Sequence, residues 1–187
     1  MRRAALIPVV ALTAAVISSC TATTTGNPSP GVAQSSASST GAPTSAASNP
    51  VASLKACNLL TDSAAQQAVP GAGVAEDDGQ AGGSSSTCSW TKAASDAERA
   101  VTFSVTIRPN QTIDQVNVGS GLSSTGTVNS HQARQVKGVT GEGTCSVSIG
   151  VGGTGRVDIF ASAGLDSDQA CTIAGKIADS VEPKLPA

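Results

Sequence analysis

The residues of this 187-residue chain that could do chemistry are five cysteines, a single histidine, a serine three places before a lysine, and a glycine-rich run. A Ser-His-Asp hydrolase would have to use His131, and it would need a serine presented on a strained turn such as G-x-S-x-G. No such run occurs, and His131 sits among Asn129, Ser130 and Gln132 at a predicted loop-to-strand junction, where the reading is a solvated surface histidine. Ser89-Trp90-Thr91-Lys92 has the S-x-x-K spacing of penicillin-recognising enzymes. Those enzymes need the pair on one helical turn and S-D-N and K-T-G elsewhere, and neither companion is present. Gly150-Val151-Gly152-Gly153-Thr154-Gly155 fits G-x-G-x-x-G, but the following Arg156-Val157-Asp158-Ile159-Phe160 reads as a strand, so the run is a hairpin turn and no dinucleotide cradle. Glu76-Asp77-Asp78 lacks the alternating oxygen ligands of a calcium loop. One histidine and four oxidised cysteines leave zinc and copper without ligands. The expectation is a chain with no catalytic residue, no metal and no cofactor.

The cysteines carry a different chemistry. Met1-Arg2-Arg3 followed by the apolar stretch from Ala4 to Ile17 has the build of a secretory signal over residues 1–19. The stretch is shorter than the ~20 residues a membrane span needs. Ile17-Ser18-Ser19-Cys20 resembles the bacterial lipobox, which implies cleavage before Cys20 and its lipidation through a diacylglyceryl thioether and an acyl chain such as palmitate. Residues 20–50 then form a Thr/Ser/Ala/Gly/Pro tether with Val32 as its one large apolar residue, too polar to offset the entropy of ordering. Such a tether would hold a domain about 30 Å from its anchor. Removing Arg2 and Arg3 leaves nine basic against thirteen acidic residues. That balance argues against nucleic acid and against a polybasic grip on lipid. Scarce aromatics (Trp90, Phe103 and Phe160) argue against stacking sites for sugars or bases.

The remaining residues, 51–187, are long enough for one domain with its own core. Thr61 and Asp62 begin a helix that Val69-Pro70-Gly71 ends, and a Gly/Ser-rich loop follows from Gly71 to Thr87. Cys88 to Thr91 reads as a short strand. Val101, Phe103, Val105 and Ile107 alternate with polar residues, the clearest half-buried strand in the chain. Thr112 to Val118 is predicted as a short helix and Gly119 to Ser130 as loop. Strands are predicted over Gln132–Val139, Thr144–Val151 and Arg156–Ser162. The last helix starts at a capping box, Asp166 to Gln169, and carries Ala170, Ile173, Ala174, Ile177, Ala178 and Val181 on one face before Pro183. This is an α+β single domain: a mostly antiparallel sheet of about five strands packed by N- and C-terminal helices, with two disulfides. Four cysteines allow three pairings. Their placement favours Cys57 with Cys88 and Cys145 with Cys171, which leaves Cys20 unpaired and reserved for lipid.

With the cysteines placed, the chain resembles a family of actinobacterial lipoproteins known as domain of unknown function 3558. The residues that carry the resemblance are Cys57-Asn58-Leu59-Leu60-Thr61, Cys88-Ser89-Trp90-Thr91, Gly141-Glu142-Gly143-Thr144-Cys145, and Cys171 followed by Ala174, Ile177, Ala178 and Leu185-Pro186. The resemblance implies a cell-envelope lipoprotein and brings no reaction and no catalytic residues. The functional expectation is a non-enzymatic binding or accessory module, held on the extracytoplasmic face of the cell membrane by the lipid on Cys20. It would engage an envelope protein or a small ligand through its loops and one sheet face. The alternatives are an envelope sensor-type domain, and a hydrolase or enzyme inhibitor of the envelope.

Overall fold

The alternation around Phe103 folds as read. In the computed structural model, which describes residues 49–187, Val101–Arg108 is a strand whose Val101, Phe103, Val105 and Ile107 are buried while the intervening residues face the other side. We number the strands β1 (Glu76–Gly79), β2 (Ser86–Lys92), β3 (Val101–Arg108), β4 (Leu122–Val128), β5 (His131–Lys137), β6 (Thr144–Val151) and β7 (Gly155–Ala163). All pair antiparallel in one sheet of order β1-β2-β3-β7-β6-β5-β4. Two meanders, β1 to β3 and β4 to β7, are therefore joined through their last strands. The seam runs without a break from Val101 opposite Ala163 to Arg108 opposite Arg156.

The sheet has seven strands, two more than the sequence pattern predicts. The additional ones are β1 and β4, inside segments that read as loops. Both are edge strands with almost every side chain exposed, so no burial alternation marks them. Their strand geometry comes from the ladder bonds to β2 and β5 alone. The predicted helix over Thr112–Val118 is reduced to a 3₁₀ turn, Ile113–Gln115, closed by the Gln115 side chain accepting from the Thr112 N–H at 2.9 Å. Gly152 and Gly153, both at positive φ, make the β6–β7 turn that the glycine-rich run predicts.

One face of the sheet is covered by three helices: α1 (Ala56–Leu59), α2 (Asp62–Ala68) and α3 (Ser167–Val181). Thr61 caps α2 by accepting from the Ala64 N–H, and Asp166 caps α3 by accepting from the Asp168 and Gln169 N–H groups at 2.9 and 3.0 Å. α3 crosses β6 and β7 and buries the six apolar residues read on its face. Burial of side chains such as Ile173, Ile177 and Val181 contributes about 1.5–3 kcal/mol each. Under α2, Trp90 stacks on its cross-strand partner Phe103 with ring centroids 5.7 Å apart. The buried indole N–H donates to Asp62 Oδ1 at 3.0 Å, and that oxygen also accepts from the Ala75 N–H at 2.9 Å. Asp62 thus ties the first turn of α2 to the core and to the loop that leads to β1.

Cys57 is bonded to Cys88 and Cys145 to Cys171, with Cα atoms 5.1 and 5.0 Å apart. The first bond joins α1 to β2 and the second joins α3 to β6. Cys145 shares the buried face with Val147, Ile149 and Val151. The Gly143 two residues earlier stands at φ 77°, and a Cβ there would lie 1.9 Å from the Gly164 carbonyl oxygen. Its own carbonyl accepts from the Ala163 N–H at 2.8 Å, and its N–H donates to Ser167 Oγ at 2.9 Å. Only glycine permits this approach of β6, β7 and the start of α3. The run Gly141 to Cys145 thus has a packing role.

Candidate functional site

His131 is not the solvated surface residue its neighbours suggest. It opens β5 directly after the tight turn Asn129-Ser130, where Asn129 takes φ 47°, and its side chain is only 11% exposed. Glu182, the residue after α3, meets it there. His131 Nδ1 lies 2.7 Å from Glu182 Oε1, and Nε2 lies 2.9 Å from the Pro186 carbonyl oxygen. Ser130 adds two donors to Glu182 Oε1, the backbone N–H at 3.2 Å and Oγ at 2.9 Å, and Asn129 Nδ2 donates to Oε2 at 2.9 Å. The hydrogen bond from His131, then those from Asn129 and Ser130, hold the Glu182 carboxyl well below its ordinary range, at about 2. The same bond to Glu182, followed by the Pro186 carbonyl, raises the His131 pKa. With an acceptor at each ring nitrogen, the site favours the imidazolium.

A serine, a histidine and a carboxylate thus come together, but in the wrong order for acyl transfer. In a triad the carboxylate orients one ring nitrogen and the hydroxyl gives its proton to the other. Here Ser130 Oγ and Glu182 both lie at Nδ1, and the Pro186 carbonyl occupies Nε2. No nitrogen is left to act as a base. The cluster is a latch that fastens the C-terminal segment to the β4–β5 hairpin. Its partners lie about fifty positions apart in the chain, and no local pattern connects them.

Ser89 and Lys92 are both in β2, three places apart, so their side chains leave opposite faces of the sheet; Lys92 pairs with Glu98. The G-x-G-x-x-G run is a turn between strands, and Glu76, Asp77 and Asp78 are exposed on β1. Among the described residues no group of three or more His, Cys, Asp or Glu is placed to hold a metal. The signal segment 1–19, Cys20 and the tether up to residue 48 lie outside the described residues.

The assembled polar site is on the sheet face opposite the helices. Registration places Thr106, Asp158, Ser148 and Arg134 in one row across β3, β7, β6 and β5, and Ser104, Phe160, Ser146 and Val136 in the next. Segment 109–121 runs over part of this face. Ser148 and Val136, although turned away from the helices, are therefore only 2% and 0% exposed. Arg156 fastens that segment: Nη1 donates to the Thr112 carbonyl and Nη2 to Gln111 Oε1, each at 2.9 Å, while Nε donates to Asp158 Oδ1 at 2.8 Å. Arg108 donates through Nε to the other oxygen of Asp158 at 2.6 Å and through Nη1 to the Gly82 carbonyl at 2.6 Å. A groove of about 290 Å³ lies beside this network, floored by Ser146, Ser148 and Phe160 and walled by Val116, Asn117 and Val139. Two guanidinium groups share one carboxylate, so its charge is positive, and its other polar groups are hydroxyls and an amide. Such groups can hold and orient an anionic group by charge-assisted hydrogen bonds. The groove contains no nucleophile with a base.

The fold and these sites define an α+β domain with two disulfides and a polar groove on its open sheet face. The chain belongs to the family described as Protein of unknown function (DUF3558), whose model matches residues 15–184. Neither the curated proteins nor the solved structures contain a match.

Proposed function

We propose that this chain is a cell-envelope lipoprotein that works as a non-catalytic binding module. In this reading the lipid on Cys20 anchors it to the extracytoplasmic face of the membrane, and residues 21–50 act as the leash. The observation that carries the binding role is the groove between the Arg108–Asp158–Arg156 network and segment 109–121. Its positive balance, hydroxyl floor and single half-buried ring at Phe160 suit a small ligand with one carboxylate or phosphate and a short apolar portion. The ring order at His131, with both nitrogens occupied, supports the non-catalytic part of the reading.

The test has two arms. Cys20→Ala is expected to move the protein from the membrane to the soluble fraction of the producing cell, and unchanged fractionation would remove the anchor from the account. The soluble Cys20→Ala chain, labelled with ¹⁵N, is then titrated with a panel of small carboxylates and phosphates. Saturable amide shifts confined to Asn117, Ser146, Ser148 and Phe160 are expected for at least one member. Turnover of ester, amide or phosphoester substrates that disappears in His131→Ala or Ser89→Ala would contradict the proposal.

A further inference from the structure

The two edges of the sheet are built differently. β1 is four residues long, reads Glu-Asp-Asp-Gly, and has a register irregularity between Asp77 and Gly79. Charge, shortness and a bulge are the usual protections of an edge. β4 at the other end is seven residues, Leu122-Ser-Ser-Thr-Gly-Thr-Val128, paired with β5 without a shift over its whole length. It carries no charge, no proline and no bulge, and it is exposed up to Val128.

The hydrogen-bonding direction of each β4 residue follows from the ladder. The Gly138 N–H donates to the Thr144 carbonyl on the β6 side, so by alternation residues 132, 134 and 136 bond to β6 while 131, 133, 135 and 137 bond to β4. Their partners are Val128, Gly126, Ser124 and Leu122. Ser123, Thr125 and Thr127 therefore point their backbone N–H and C=O groups outward, at an edge that no other strand among the described residues pairs.

We propose that β4 pairs antiparallel with β4 of a second copy of this chain about a two-fold axis at Thr125, continuing the sheet from one protomer into the next. The strand is self-complementary in that register. Thr125 meets Thr125 and Ser123 meets Thr127, hydroxyl against hydroxyl, Ser124 meets Gly126, and no like charges oppose. The three outward residues bond in pairs, two bonds to a pair, for about six bonds across the axis. Leu122, which is 76% exposed, falls opposite Val128 of the other copy. By register with Lys137 and Cys145, Leu122 lies on the helix side of the sheet. Val128 there borders a groove of about 290 Å³ between the β4–β5 hairpin and α3, lined also by Ala133, Val147 and Gly175. Each copy thus offers one exposed leucine and one open groove that receives it.

The experiment uses the full chain in a Cys20→Ser background, by sedimentation velocity over a concentration series. A concentration-dependent dimer is expected. Thr125→Pro removes an N–H that faces the free edge and takes no part in the β4–β5 ladder, so it should abolish the dimer and leave the circular dichroism of the monomer unchanged. Thr125→Cys places two thiols at the axis, where Cα atoms of a bonded pair are ~5.5 Å apart, within disulfide reach. It should form a covalent dimer under mild oxidation, whereas Asp77→Cys on β1 should not. A wild-type chain that remains monomeric at every concentration overturns the proposal. So does a dimer that survives Thr125→Pro. Slow amide exchange at Ser123, Thr125 and Thr127 in a monomer would assign the edge to the chain's own N-terminal segment and equally reject the second copy.

Discussion

Removing the Cys145–Cys171 bond tests how α3 is held. The bond closes a loop of 26 residues. In the chain-entropy description, a cross-link of that span takes roughly 12 cal/mol/K from the unfolded chain, or about 3.5 kcal/mol at 25 °C. Cys145→Ala with Cys171→Ala keeps the apolar face of α3, because both positions border alanines on a surface that Ile173, Ile177 and Val181 already bury. The loss should therefore lie near the entropic figure. For a domain of this size it corresponds to a fall of about 10–15 °C in Tm. The assay is urea unfolding followed by far-UV circular dichroism, with the wild-type chain as reference. An unlinked chain exposes more surface when it unfolds, so the m-value should rise as the midpoint falls. A loss below ~1 kcal/mol with an unchanged m-value would refute the view that this bond restricts the unfolded chain.

Other expectations follow from single residues. Asp62→Ala leaves the indole N–H of Trp90 buried without an acceptor and should cost about 1–3 kcal/mol; because Trp90 is the sole tryptophan, its emission reports the change, and an unaltered spectrum and midpoint would contradict the role given to Asp62. Gly143→Ala forces a Cβ against the Gly164 carbonyl at positive φ, and a loss of about 2 kcal/mol or more is expected from thermal unfolding. The His131–Glu182 latch predicts two pH limbs. The His131 pKa is raised, so its contribution is complete below 6.5 and is lost as pH rises through the raised value. The Glu182 pKa is lowered to about 2, so its contribution is complete above 4.5 and is lost as pH falls toward about 2. Calorimetry across pH should show both limbs in the wild type, whereas Glu182→Gln should lose the acid limb and keep only the smaller alkaline limb that the Pro186 carbonyl sustains; identical profiles would exclude the latch.

What could be read in the chain depended on whether burial left a local pattern. β3 and α3 each bury one face, and their periods of two and 3.6 are visible in the order of residues. The caps at Thr61 and Asp166 are local as well. β4 is a strand only because β5 lies beside it, and a run of Ser, Thr and Gly exposed on both faces has no alternation to read. The same limit applies to the sites. The register of β3 against β7, with segment 109–121 laid across them, brings Arg108, Asp158 and Arg156 together. His131 and Glu182 meet because α3 ends beside a hairpin turn. Proximity in the chain is a poor guide here: Ser89 and Lys92, three places apart, are separated by the strand pleat, while Arg108 reaches Asp158 and His131 reaches Glu182 from about fifty positions away.

The proposed role of the open sheet face is to bind a small anionic ligand. Its most direct test is an NMR titration of the ¹⁵N-labelled Cys20→Ala chain with the carboxylate and phosphate panel, run in parallel on Phe160→Ala. Saturable shifts are expected at Asn117, Ser146 and Ser148, with an affinity at least tenfold weaker in Phe160→Ala, a loss of about 1.4 kcal/mol of binding free energy. Shifts that cluster instead at His131, or a Phe160→Ala chain that binds as well as the wild type, would contradict it.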